Sequence, residues 1–276
     1  MIERTTDFSK TSTLIIEILD NQQGVFIGVP HIDNNFHSYM AKTLLKNLQG
    51  KIKNFFVECS NGYLQQQIET IEKTILLGEN NYKVKFNDEQ KIQLLDMSIK
   101  NPMMLPILYA KIVYGIQVIG VDVAHEELQK VEAIFYNPCE EHEIIEAQNK
   151  RLEHNQKMIE NIKNLSGTDK YVMFGGPQHG DISEQLGIKN INVCESQLHT
   201  SIVKLISENK NYKSLVKPDY LFLYTANTPK LSLLFNNQGF FSPSKHANKN
   251  NPYGPYSDQY CFEDDPLVRK GIELSR

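Results

Sequence analysis

What most limits the fold open to this chain is a set of six short apolar runs separated by longer stretches with helical spacing. The runs are 24–28 (GVFIG), 53–59 (KNFFVEC), 116–122 (IQVIGVD), 170–176 (KYVMFGG), 191–195 (INVCE) and 220–224 (YLFLY). They are rich in Val, Ile, Phe and Tyr. Their continuous rather than alternating apolar character is that of strands buried on both faces. Between them, Phe36, Met40, Leu44, Leu45 and Leu48 share one helical stripe over 34–49, and Leu64, Ile68, Ile71 and Ile75 share another over 61–77. Asp88 is placed to cap a helix running to Ile99, which Pro102 then breaks. Residues 103–115 predict a buried helix ending at Gly115, 140–165 a long polar helix ending before Gly167, and 197–209 a further one. This alternation predicts an α/β fold: a largely parallel central sheet, right-handed crossovers, helices on both faces and extra helices inserted at 61–115.

Residues 1–235 are expected to form a single α/β domain. From 236 the character changes, with Pro243, Pro252, Pro255 and Pro266 among many turn-forming residues. Phe240, Phe241, Tyr253, Tyr256, Tyr260 and Phe262 give that stretch packing surface, so 236–276 is expected to be an irregular C-terminal cover on the same domain. Those rings could also line a substrate or haem pocket, though ordinary packing is the simpler role.

Composition excludes several classes. The 276 residues carry 29 Lys and Arg against 33 Asp and Glu, a net charge of −4, without the basic bias of a nucleic-acid binder. No apolar run reaches the roughly 18 residues of a membrane helix, and the start lacks the pattern of a secretory signal. The cysteines Cys59, Cys139, Cys194 and Cys261 are scattered without a CxxC pair, as suits reduced thiols. Lys and Asn are abundant while Arg4, Arg151, Arg269 and Arg276 are the only arginines, a bias expected of a low-GC bacterium. Cytoplasmic residence, or signal-independent secretion into a host cell, is the expected location.

In a parallel sheet, ligands bind at the carboxyl ends of the strands, so the residues following each run are the candidate site. The first run leads to Gly28-Val29-Pro30-His31, with Asp33 and His37 beyond. The second ends at Glu58, the third at Asp122, the fourth leads to Gly176-Pro177-Gln178-His179, and the fifth ends at Glu195. Two histidines and three carboxylates should therefore reach one rim. The two histidine segments, VFIGVPH and VMFGGPQH, also resemble each other, and each leads on to a strand ending in VECS (57–60) or VCES (193–196). This hints at an internal duplication.

These residues resemble the superfamily that joins Tiki, TraB, ChaN-like and erythromycin-esterase proteins, also found as a domain in large bacterial toxins. Its pattern is a pair of G-x-x-H motifs, each after a strand, with a glutamate ending the strand that follows the first. Gly28–His31 and Gly176–His179 match the motifs, and Glu58 matches the glutamate. GVDV (120–123) is similar to the family's G-x-D strand, and RLEHNQKMIENI (151–162) to its Arg-Asn-x-x-Met helix. The match runs over about residues 12–200. One departure is Val29, where many ChaN-like and esterase members carry a glutamate. The resemblance implies an ester or amide hydrolase with His31, Glu58, His179 and Asp122 as catalytic groups. Within the superfamily, Tiki proteins are metal-dependent, the esterases use histidine without a metal, and ChaN-like proteins bind haem.

Several alternatives stay open on the residues alone. His31, His179 and Glu58 could ligate Zn, Mn, Fe or Co, with Asp122 in support, or the histidines could act as acid and base without a metal. Arg151, Asn155, His37, Asp33 and Glu195 are the candidate substrate-binding residues. Against this, Asp33 is the natural N-cap of the helix after the first run, His37 could face solvent, and Arg151 could be a surface arginine. HEELQ (125–129) and HEIIE (142–146) lack the second histidine of a zinc-protease helix. The expected partner is a small-molecule or peptide substrate; a haem- or metal-binding protein without turnover, or an effector module that binds a host protein, are the rivals.

Overall fold

Each of the six apolar runs forms a strand, and a seventh precedes them. The computed structural model describes residues 2–4, 8–30, 33–99, 101–123, 141–196 and 218–224. In chain order the elements are β1 (Ile2–Arg4), α1 (Ser9–Asn21), β2 (Gly24–Gly28), α2 (Asn34–Tyr39), a π-helical turn (Met40–Leu44), α3 (Leu45–Leu48), β3 (Asn54–Ser60), α4 (Asn61–Tyr82), α5 (Asp88–Ser98), α6 (Met104–Leu108), a second π-helical turn (Tyr109–Val113) and β4 (Gln117–Asp122). Then come α7 (Glu141–Ser166), β5 (Tyr171–Gly175), a 3-10 turn (Pro177–His179), α8 (Asp181–Leu186), β6 (Lys189–Glu195) and β7 (Tyr220–Tyr224). All seven strands belong to one compact unit, Met1–Val123 with His154–Thr225.

The sheet order is β1-β7-β6-β2-β5-β3-β4, and every neighbouring pair is parallel. The α/β fold with a parallel sheet is thus as the sequence implies. β2 and β5 lie side by side at the centre, in register Val25↔Val172 through Gly28↔Gly175, and all five residues of each are buried. The two similar histidine segments are therefore spatial neighbours. β3 flanks the pair on one side and β6 on the other, so each of these central strands is followed in sequence by a strand lying beyond the other.

One face of the sheet presents Phe26, Phe56, Val121, Tyr171 and Met173, packed against Met158, Ile159 and Ile162 of α7 and Ile182 of α8. The alternate residues face the other way: Phe55 stacks on Phe174 at 5.7 Å, and His37 of α2 meets Phe174 edge-on. Helices thus cover both faces. The inserted helices α4, α5 and α6 fall within 61–115. At α5 the cap is Asn87 rather than Asp88: Asn87 Oδ1 accepts from the Gln90 amide and Gln90 Oε1 accepts from the Asn87 amide, a reciprocal box that leaves Asp88 in the first turn.

Sequence patterning missed two elements. β1 is too short and polar to read as a strand and exists by pairing Ile2–Arg4 with Leu221–Leu223. α1 buries Thr11 and Ser12 along with Ile15, Ile18 and Leu19, so small polar residues blur its stripe. The expected helix at 197–209 and the expected cover at 236–276 lie outside the described residues. No described helix is long and apolar enough to cross a membrane.

Candidate functional site

The parallel sheet does bring the described strand ends to one rim, but only some of the expected residues meet there. Glu58, at the end of β3, and His179, in the turn after β5, come from adjacent strands. His179 Nε2 lies 2.8 Å from Glu58 Oε1, with both side chains mostly buried. The Gly176 amide donates to Glu58 Oε2 at 2.5 Å. The local reason is Gly175: a Cβ there would stand 2.7 Å from Glu58 Oε2, so only glycine leaves the carboxylate its place. Pro177 then opens the turn, closed by the His179 amide donating to Gly176 O at 3.1 Å, which aims the imidazole back at Glu58.

The other imidazole nitrogen is held from the helix side. His179 Nδ1 lies 2.6 Å from Oδ1 of Asn155, a fully buried residue of α7. Asn155 Nδ2 donates to both carboxylate oxygens of Asp181, at 2.8 and 2.7 Å. A carboxylate only accepts, so the Asn155 amide has one sensible orientation, and its oxygen faces His179. Nδ1 must then carry a proton. At Nε2 a second proton must lie between nitrogen and Glu58 oxygen, because two lone pairs would repel at that distance. Asp181, Asn155, His179 and Glu58 form a continuous hydrogen-bonded chain, closed at Nε2 by a proton carried by either His179 or Glu58. Asp181, two residues beyond His179, was not singled out by sequence; its place at the start of α8 was the available sign.

The remaining candidates are distributed differently. Asp33 caps α2 as expected, its Oδ1 accepting from the Phe36 amide at 3.0 Å and also from the Tyr224 hydroxyl. It is buried, and that burial raises its pKa to about 6 despite hydrogen bonds from Tyr224 and the Phe36 and Glu195 amides. Glu195, ending β6, adds a like charge to this group. Burial foremost, then Asp33, pushes the Tyr224 hydroxyl up. β6 is three strands from β3, on the order of 14 Å at the usual spacing, so Glu195 and Glu58 serve separate clusters. His37 is fully buried against Phe174 rather than facing solvent. Asp122 Oδ1 accepts from the Val123 amide at 2.7 Å. It sits opposite Ser60 where β3 carries a bulge between Val57 and Ser60. His31 lies outside the described residues, as does the side chain of Arg151.

The Cys59 thiol is pushed up to about 12, by burial first and then by Asp122 and Glu58. Cys194 is pushed up as well, by burial and then by Asp33 and Glu195. Neither is prepared as a nucleophile, in keeping with the sequence reading.

A cation at this rim would need three or more ligands, and among the described residues no such group of His, Cys, Asp and Glu is assembled. Glu58 and His179 supply two, and His179 Nε2 already faces Glu58. The ligand set expected from sequence would have to be completed by His31.

No protein-family model matches the chain, and no curated protein matches it. Among solved structures, it is similar to the type III effector HopBA1, at 16% identity over 60% of this chain and 70% of that one, with a TM-score of 0.39.

Proposed function

We propose that the chain hydrolyses an ester or amide bond at the Glu58–His179 pair. The observation that carries this reading is that His179 is held at both nitrogens, by Asn155 on one side and Glu58 at 2.8 Å on the other. Such a pair suits acid–base work, since a carboxylate that can accept a proton adjoins an imidazole that can donate one. The resemblance of the Gly28–His31 and Gly176–His179 segments to the paired G-x-x-H motifs of the Tiki, TraB, ChaN-like and erythromycin-esterase proteins points the same way. His31, which lies outside the described residues, is kept in the proposal as the second histidine of the paired motifs.

Glu58 accepts one proton from water while the water oxygen attacks the substrate carbonyl carbon, and the carbonyl π pair moves onto its oxygen. As Glu58 takes up that proton its hold on the Nε2–H of His179 weakens, and the Nε2–H turns to the oxyanion and stabilises it. Collapse of the tetrahedral centre breaks the bond to the alkoxide or amine, which leaves with the proton held by Glu58. One water is consumed, and a carboxylic acid and an alcohol or amine are released.

The test uses short- and medium-chain p-nitrophenyl esters and the matching p-nitroanilides. Wild-type turnover of one series is expected, with a loss of about 10²–10⁴-fold in Glu58→Gln and His179→Gln. Turnover of neither series by the wild type, or full turnover by both variants, would overturn the reading.

A further inference from the structure

We infer that Asp181 is a positioning residue that, acting through Asn155, makes the oxyanion donor of His179 a cation, an inference that rests on the hydrolytic reading above. The turn that ends at His179 passes through Gly180 into α8, whose first residue is Asp181. Ser183 fixes that junction: its amide donates to Gly180 O at 3.1 Å and its hydroxyl to the same oxygen at 2.5 Å. His179 and Asp181 therefore stand two residues apart on one short stretch of backbone, and both reach the same side chain on α7. Asn155 Oδ1 lies 2.6 Å from His179 Nδ1, and Asn155 Nδ2 lies 2.8 and 2.7 Å from the two oxygens of Asp181. Asn155 is fully buried, which removes bulk water as an alternative partner for its amide.

An amide turns over at little cost where its neighbours can both donate and accept, and Asp181 is what forbids that here. Turned over, Asn155 would set its oxygen against two carboxylate oxygens, an arrangement of acceptors alone. A simple staple between α7 and α8 needs no such restriction, since an amide at position 181 could bond Asn155 in either orientation. The consequence lies at the far nitrogen of the ring. Glu58 must be without a proton to accept one from water, so His179 carries the proton at Nε2, and Asn155 Oδ1 requires a proton at Nδ1 as well. The ring that meets the substrate is then an imidazolium. Charge-assisted hydrogen bonds are roughly twice as strong as neutral ones, so the oxyanion gains more from this ring than from a neutral imidazole. Without the restriction, Asn155 can present Nδ2 to a bare Nδ1, and Glu58 keeps a neutral ring with its one proton at Nε2. That ring still donates, but more weakly.

The experiment compares Asp181→Asn with the exchanged pair Asn155→Asp plus Asp181→Asn, in steady-state hydrolysis of a p-nitrophenyl ester and in ¹⁵N spectra of the His179 ring at one fixed pH. Asp181→Asn keeps an acceptor for Asn155 Nδ2 and leaves the two helices tied, so its Tm should stay near that of the wild type. Its kcat should fall about 10-fold with KM little changed, and the Nδ1 signal should move away from its protonated position. In the exchanged pair a carboxylate at position 155 accepts from Nδ1–H with either oxygen, and the amide at position 181 donates to the other. No orientation is then left to choose, so most of the lost kcat and the protonated Nδ1 signal should return. If Asp181→Asn keeps wild-type kcat or the protonated Nδ1 signal, or if a folded exchanged pair is no more active than Asp181→Asn, then Asp181 is a staple only and the inference fails. Should the exchanged pair not fold, the two readouts of Asp181→Asn decide. An inactive Glu58→Gln leaves the hydrolytic reading standing in either case. A fully active Glu58→Gln would instead remove that reading, and the inference with it.

Discussion

Replacing Asp33 with Asn should make the protein more stable as the pH rises, by an amount the structure sets. Asp33 Oδ1 accepts from the Phe36 amide and the Tyr224 hydroxyl, and an Asn Oδ1 can accept both. Asn is also as good an N-cap as Asp. What changes with pH is titration; any change in the Glu195 amide's bond to this side chain is a constant cost. Burial raises the Asp33 carboxyl from 3.8 to about 6, with Glu195 as a neighbouring like charge and Cys194 and Tyr224 as the other titratable groups beside it. Because the folded pKa lies above the unfolded one, the wild type has the full benefit of a neutral Asp33 below about pH 4 and loses it as pH rises through about 6. A shift of about two units is worth about 3 kcal/mol. The stability of Asp33→Asn minus that of the wild type should therefore climb by about 3 kcal/mol between about pH 4 and pH 7 and then level off. In melting temperature this is about 6–12 °C for a unit of this size. Urea titrations of both proteins over that pH range measure it, and any constant cost of the substitution cancels in the slope. A difference that stays flat within about 0.5 kcal/mol, or that falls with pH, would show that Asp33 is charged without penalty and refute the argument.

Other perturbations address the frame around the site. A Cβ on Gly120 would lie 2.5 Å from the Cys59 carbonyl oxygen and 2.8 Å from the backbone of Asn61, atoms that cannot swing aside. Gly120→Ala should therefore cost about 1–3 kcal/mol in denaturant titration. Gly62→Ala on α4, where a Cβ would meet nothing, should instead stabilise by about 0.5–1 kcal/mol; equal effects would mean the bulge can yield. Iodoacetamide should alkylate Cys59 in the native protein on the order of 10³-fold more slowly than in urea, as read by peptide mass spectrometry, and comparable rates would show an accessible thiolate. Asn155→Leu removes the acceptor for His179 Nδ1–H, so the ¹⁵N shifts of that ring should lose the Nδ1-protonated signature while Tm falls by a few degrees; an unchanged spectrum would mean Asn155 does not set the tautomer.

The strands and the α/β class were legible because their cause is local in sequence. A strand covered on both faces must be apolar at every position, and VFIG and VMFG show this directly. The rim was legible for a related reason, since parallel strands carry all their carboxyl ends to one edge, and that sets Glu58 and His179 on the same rim. Beyond this, neighbours were decided by strand order. Nothing in the sequence says that β5 inserts between β2 and β3, so that Glu58 of the first repeat-like half meets His179 of the second while Glu195 is left with Asp33 and Tyr224. The same holds for Asp181, which acts through Asn155 from another helix. Sequence determined which residues are apolar enough to be strands and which polar groups end them. The tertiary structure alone decided the pairings, because sheet order and register are fixed by packing between segments more than a hundred residues apart, as Glu58 and Gly176 are.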